Sequence, residues 1–140
     1  MRAEFRRDVS QLDDVFRFVG SFFDAEGIDP AVRYAVDFAA EEIFTNFVKY
    51  NRDSGAGIEI DLSLRDGDLV MQLVDPDSGR FDINTDAPEV DINQPLEERT
   101  AGGLGVHLVK RMMDRVEYRH EAGKSTITLR KRLGENDARN

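Results

Sequence analysis

Glu42 and Asn46 stand four residues apart near the end of a long segment with an apolar stripe. On a helix that spacing stacks them on one face. A carboxylate can accept the proton of an attacking hydroxyl, and oxygen ligands of this kind suit Mg²⁺. Alone, the pair would be an ordinary solvated helix face. Two glycine signals elsewhere change its meaning. Asp75-Pro76-Asp77-Ser78-Gly79 follows an apolar run, and Gly102-Gly103-Leu104-Gly105 opens a second helical pattern. Glycine-rich turns at a helix start expose backbone N–H groups and the positive end of the dipole, which suits phosphate. An acidic helix face can hold Mg²⁺ opposite that phosphate. Together the three stretches imply a nucleotide pocket.

The elements that must position these residues are legible in order. Residues 2–7 are expected as a short edge strand. A first helix starts at Ser10, taken as the N-cap with Asp13 at the third position, and carries Leu12, Val15, Phe16, Val19, Phe22 and Phe23 to a stop near Gly27. The aromatic residues at this spacing are core. Asp29-Pro30 caps and starts a second helix, whose stripe of Val32, Val36, Phe38, Ala39, Ile43, Phe44 and Phe47 runs on to Tyr50. Residues 58–64 alternate strictly, as a strand wet on one face does. Asp66-Gly67 signals a tight hairpin into a return strand over 69–74. Residues 82–101 show no period, and a loop that long in a compact domain is expected to be a lid. Leu104–Met113 is predicted as a short helix with Val106, Leu108, Val109 and Met112 inward. A second hairpin pairs 116–121 with 125–133. The expected fold class is α+β: a two-layer sandwich of a mostly antiparallel mixed sheet covered on one face by helices.

The chain has 140 residues, of which 40% are hydrophobic and 34% charged. That suits one domain over 1–133, with 134–140 expected as a flexible tail. It contains no cysteine, which excludes disulfides and thiolate metal sites and fits a cytoplasmic setting. The net charge of −9 argues against a nucleic-acid groove. No apolar run reaches the length of a membrane span, and the N-terminus lacks the apolar stretch of a secretory signal.

The order Glu42-x-x-x-Asn46, an Asp-x-Gly turn after a strand, and Gly103-x-Gly105 resembles the GHKL ATPase superfamily. Within it, the run from Pro95 through Thr100, Gly103 and Gly105 to Val109 is similar to bacterial anti-sigma-factor serine/threonine kinases. The likeness spans Phe5 to Leu133. It implies the histidine-kinase-like ATPase fold, with ATP and Mg²⁺ as cofactors. Asn46 would hold the metal that bridges the phosphates, and Glu42 would be the general base, with Glu41 as the alternative. Lys49, one turn beyond Asn46, either reaches a phosphate or stays on the surface. An aspartate at the Asp-x-Gly turn would receive the adenine amino group. Asp77 fits the spacing and Asp75 is the other candidate, while Gly79 would let the base approach. Phe81-Asp82 matches the usual end of that turn. Gly103, Leu104, Gly105 and Val106 would wrap the phosphates. Thr126 matches a small polar position near the nucleotide, or is an ordinary strand threonine.

The function that this resemblance implies is an ATP-dependent serine/threonine kinase that doubles as an anti-sigma factor. Its partners would be a sigma factor and a STAS-type antagonist, which it phosphorylates. The likeness also implies a homodimer, for which the first helix or the edge strand offers a surface. A nucleotide-binding interaction module with little or no kinase activity is the alternative. A detached histidine-kinase ATPase domain is a third reading, disfavoured because no helical hairpin bearing a phospho-acceptor histidine precedes the domain.

Overall fold

A computed structural model describes residues 1–50, 53–77 and 101–134, with the side chains of residue 50 and of residues 101–106 outside that description. Of the lid expected at 82–101, residues 82–100 lie outside the described residues, as do Gly79, Phe81 and the tail from 135, while Ala101 opens a helix.

Five strands, β1 (Arg2–Phe5), β2 (Ile58–Arg65), β3 (Asp68–Asp75), β4 (Arg115–Glu121) and β5 (Lys124–Arg132), form one sheet in the order β1-β2-β3-β5-β4. All four pairings are antiparallel, so the sheet is antiparallel throughout its described strands and not mixed. Both hairpins turn through left-handed residues. Asp66 and Gly67 have φ of 52° and 85°, and Ala122 and Gly123 have φ of 51° and 78°. Two consecutive positive φ values match the right-handed twist of the flanking strands. Ala122 has no polar side chain to ease that conformation, so the glycine after it carries the turn.

Three helices lie on one face: α1 (Leu12–Glu26), α2 (Arg33–Tyr50) and α3 (Ala101–Met112). The start of α1 differs from expectation. Ser10 is not the cap. Instead Asp8 accepts from the Ser10 amide at 2.9 Å and caps a single 3-10 turn, Val9–Gln11, which then runs into α1. The Asp8 carboxyl is held below its ordinary pKa by that backbone bond. Gly27 ends α1 with φ 65°, as a left-handed cap does. Asp29 caps as expected, accepting from Ala31 N at 2.9 Å, and Pro30 opens a 3-10 turn before α2.

Sheet and helices meet in one core. Cross-strand rows Leu62-Met71-Leu129 and Ile60-Leu73-Ile127 face the helices, and all six side chains are fully buried. Against them α2 sets Val36, Ala39, Ala40, Ile43, Phe44 and Phe47. Phe5 from β1 meets Phe44 and Phe18 edge-to-face at 6.4 and 5.7 Å, which closes the core under the edge strand. Each fully buried side chain of this size adds roughly 1.5–3 kcal/mol. The α1–α2 seam is closed by Arg33, which donates to Phe16 O at 2.7 Å and to Asp37 at 3.1 Å. It lies over Gly20, where a Cβ would stand 2.8 Å from its Nη1. Among the described side chains of α3 the buried one is Val109, with Met113 buried just past the helix end, whereas Leu108 is exposed. The other face of the sheet is polar, with Gln72 Nε2 donating to Thr128 Oγ1 at 3.2 Å between β3 and β5.

Candidate nucleotide site

Arg7 ties the last turns of α2, which carry Glu42 and Asn46, to Asp75 at the end of β3. Glu42 and Asn46 both lie on α2 and share a ridge, as their spacing requires. Asn46 is only 2% exposed, and its Nδ2 has no hydrogen-bond partner among the described residues. A buried polar atom left unpaired costs about 1–3 kcal/mol, so the group calls for a partner that the described residues do not supply. The two ends of a carboxamide have the same shape, so a half-turn of the amide presents its oxygen there instead. An oxygen so placed fits Mg²⁺, which takes few protein ligands and completes its shell with phosphate and water.

Glu42 is half-buried, and its pKa is raised. Loss of hydration is the main cause and the neighbouring Glu41 adds repulsion, while Lys49 pulls the other way. A carboxylate with weakened hydration is a stronger proton acceptor, as a general base needs to be. Lys49 itself is exposed in the last turn of α2.

At the base of the site Asp75 is 1% exposed and closes β3. Arg7 grips it from both nitrogens of its fork: Nη1 donates to Oδ2 at 3.0 Å, and Nη2 donates to Oδ1. The amide of Asp77 also donates to Asp75 Oδ1 at 3.0 Å, which folds the turn back on the strand. Asp77 is exposed. The two aspartates left open by the sequence are thus unlike: one is a buried, oriented acceptor and the other an exposed turn residue.

Two placements bear on the expected site residues. Thr126 does not face the helices. Along β5 the buried residues are Ser125, Ile127 and Leu129, so Thr126 shares the outer face with Thr128. Ser125 takes the inner place, directly across from Asp75 in the β3–β5 register. Its Oγ lies 3.1 Å from Tyr118 Oη and 3.0 Å from His120 Nδ1. Strand alternation counted back from Leu129 points to Ser125, so the signal was present. The second placement concerns Gly103, Leu104, Gly105 and Val106. The helix expected from Leu104 begins at Ala101, so Gly103 falls inside α3 with the other three. The first four N–H groups of a helix have no partner within it, and each glycine inside it costs about 1 kcal/mol relative to alanine. Three glycines at its start therefore weaken α3 there. Arg7 was missed altogether: next to Arg6, after a short strand, it carries no local mark of burial.

Residues 5–131 match the histidine kinase-like ATPase domain family. The chain belongs to this family. Within it the likeness runs to the GHKL anti-sigma-factor kinases. The chain is 32% identical over 94 residues to the serine-protein kinase RsbW of Bacillus cereus, covering 64% of this chain and 58% of that protein. It is 27% identical over 92 residues to RsbW of Halalkalibacterium halodurans, covering 63% and 56%. The chain therefore spans a little over half the length of the curated relatives it matches. Among solved structures, the RsbU and RsbW domains of a Mycobacterium tuberculosis protein superpose with a TM-score of 0.70 at 15% identity, over 100% of this chain and 33% of that one. The SiaB–SiaC complex from Pseudomonas aeruginosa gives 0.57 at 13% identity, over 94% and 87%. Identities this low speak for the fold alone. For this ATPase domain the comparisons support use of ATP, and no described helix is long and apolar enough to cross a membrane.

Proposed function

We propose that this ATPase domain is a protein serine/threonine kinase that phosphorylates a STAS-type antagonist and, in the same partner-switching circuit, binds a sigma factor. The observation that carries the reading is Glu42, a half-buried, weakly hydrated carboxylate one helical turn before Asn46 on a single ridge. A domain that only binds nucleotide has no use for a base beside its metal ligand. The relatives named serine-protein kinase support the same choice.

The chemistry assigns each residue one task. Asn46 would hold Mg²⁺ through its carboxamide oxygen, and the metal would supply neutralisation of the phosphate charge. Asp75 or Asp77 accepts from the adenine amine. The first turns of α3 offer N–H groups to phosphate, and Lys49 adds a positive charge. Glu42 accepts the proton of a serine or threonine hydroxyl as that oxygen bonds to the terminal phosphorus. The bond from phosphorus to the bridging oxygen breaks, and ADP leaves with the electron pair.

The deciding experiment is incubation with Mg²⁺ and labelled ATP beside the STAS-type antagonists encoded next to the gene. Label is expected on a serine or threonine of one of them. Binding of nucleotide without any transfer would leave the interaction module as the function. For the metal, Asn46→Ala is expected to abolish the gain in ADP affinity that Mg²⁺ gives the wild type, with affinity in EDTA unchanged. Calorimetry with and without Mg²⁺ reads this directly. A wild-type chain that binds no nucleotide at about 1 mM would overturn the whole reading.

A further inference from the structure

Arg7 joins three separate segments to its own, and none of the roles above employs it. Its side chain is 2% exposed. Nε donates to Ala56 O at 3.2 Å, in the connection between α2 and β2. Nη1 donates to Phe47 O at 2.9 Å, one residue past Asn46, and to Asp75 Oδ2 at 3.0 Å. Nη2 donates to Asp75 Oδ1. The same guanidinium therefore fixes the last turns of α2 to the end of β3.

A carboxylate offers about four acceptor sites. On Asp75 Arg7 fills two and the Asp77 amide fills a third. One site is left. A bidentate pair locks the carboxylate plane, so Arg7 also decides where that last site points. A single oriented acceptor takes an amino group and repels a carbonyl oxygen.

We propose that Arg7 is a positioning residue for base recognition. It ties Asp75 to the turn of α2 that carries Asn46 and leaves the carboxylate one acceptor site, matched to the 6-amino group of adenine and opposed to the 6-carbonyl of hypoxanthine. This inference rests on the nucleotide reading above and gives Arg7 its part in it.

The test is titration of the whole chain with ADP and with IDP, in wild type, Arg7→Lys, Arg7→Met and Arg7→Met/Asp75→Leu. The wild type is expected to favour ADP by about tenfold or more. Arg7→Lys keeps the charge but loses the fork, and it should lose most of that preference through weaker ADP binding, with IDP binding unchanged. Arg7→Met should do the same. If it does not fold, Arg7→Lys decides the role of Arg7, and the double variant, which removes the acceptor itself, must bind the two nucleotides about equally if Asp75 reads the base. Variants that keep the wild-type preference would overturn the role of Arg7, as would equal losses for ADP and IDP, which mark a merely structural residue. A wild type that binds neither nucleotide would instead defeat the nucleotide reading, and this inference with it.

Discussion

Glu42→Gln is expected to lower phosphoryl transfer to the antagonist by about 10²–10⁴-fold, the usual loss when a general base is removed. Glutamine keeps the shape and loses the basicity, so ADP binding should stay within a few-fold of wild type. Slightly tighter binding would follow from removing a negative charge near the phosphates. The pH profile gives an independent readout. Glu42 works as a base only when ionised, and loss of hydration together with Glu41 raises its pKa above the ordinary 4.5. Transfer must therefore fall as the pH drops through that raised value, at a higher pH than an exposed glutamate would give. Lys49 is the one contribution that lowers the pKa, so Lys49→Met should move the acid limb further up. The Glu42→Gln variant should show no such limb. Undiminished transfer by Glu42→Gln would sink the assignment and turn attention to Glu41.

The largest effect on stability is expected at Asp75. Its pair with Arg7 is almost wholly buried, at 1% and 2% exposure. Asp75→Ala leaves the guanidinium with the carbonyls of Phe47 and Ala56 and no anion. Removing one partner of such a pair typically costs about 3–5 kcal/mol, since the remaining charge stays buried and uncompensated. For a chain of this length that corresponds to a fall in Tm of roughly 10–20 °C. Replacing both members with apolar residues, Arg7→Met/Asp75→Leu, should be far less harmful than the single change, because no charge is left behind. Urea unfolding of the two variants decides it. A loss below about 1 kcal/mol for Asp75→Ala would show that water reaches Arg7 and that the pair is not the anchor described here.

Both effects depend on features with different visibility in the chain. Glu42 and Asn46 are related by local geometry: any helix through residues 42–46 puts them on one ridge. The same holds for the hairpins at Asp66-Gly67 and Ala122-Gly123, and for the Asp29-Pro30 helix start. Ser125 was within reach of the same kind of argument, since alternation along β5 is local too. Ser10 and Asp8 show the limit of such arguments at element ends. Both are good caps, and the choice depended on whether a 3-10 turn preceded α1.

The sequence by itself determined the period of each element, the ridge that carries Glu42 and Asn46, and a family resemblance that the match over residues 5–131 bears out. Those properties belong to neighbouring residues and survive whatever the rest of the chain does. Tertiary structure alone decided that Arg7 would meet Asp75 across 68 positions, that Asn46 would lose its water, and that Glu42 would lose part of its own. Burial and ionisation depend on how many distant segments crowd around a group, because it is their packing that removes water and lowers the local dielectric. Nothing in the few residues on either side of Arg7 or Asp75 records that crowding.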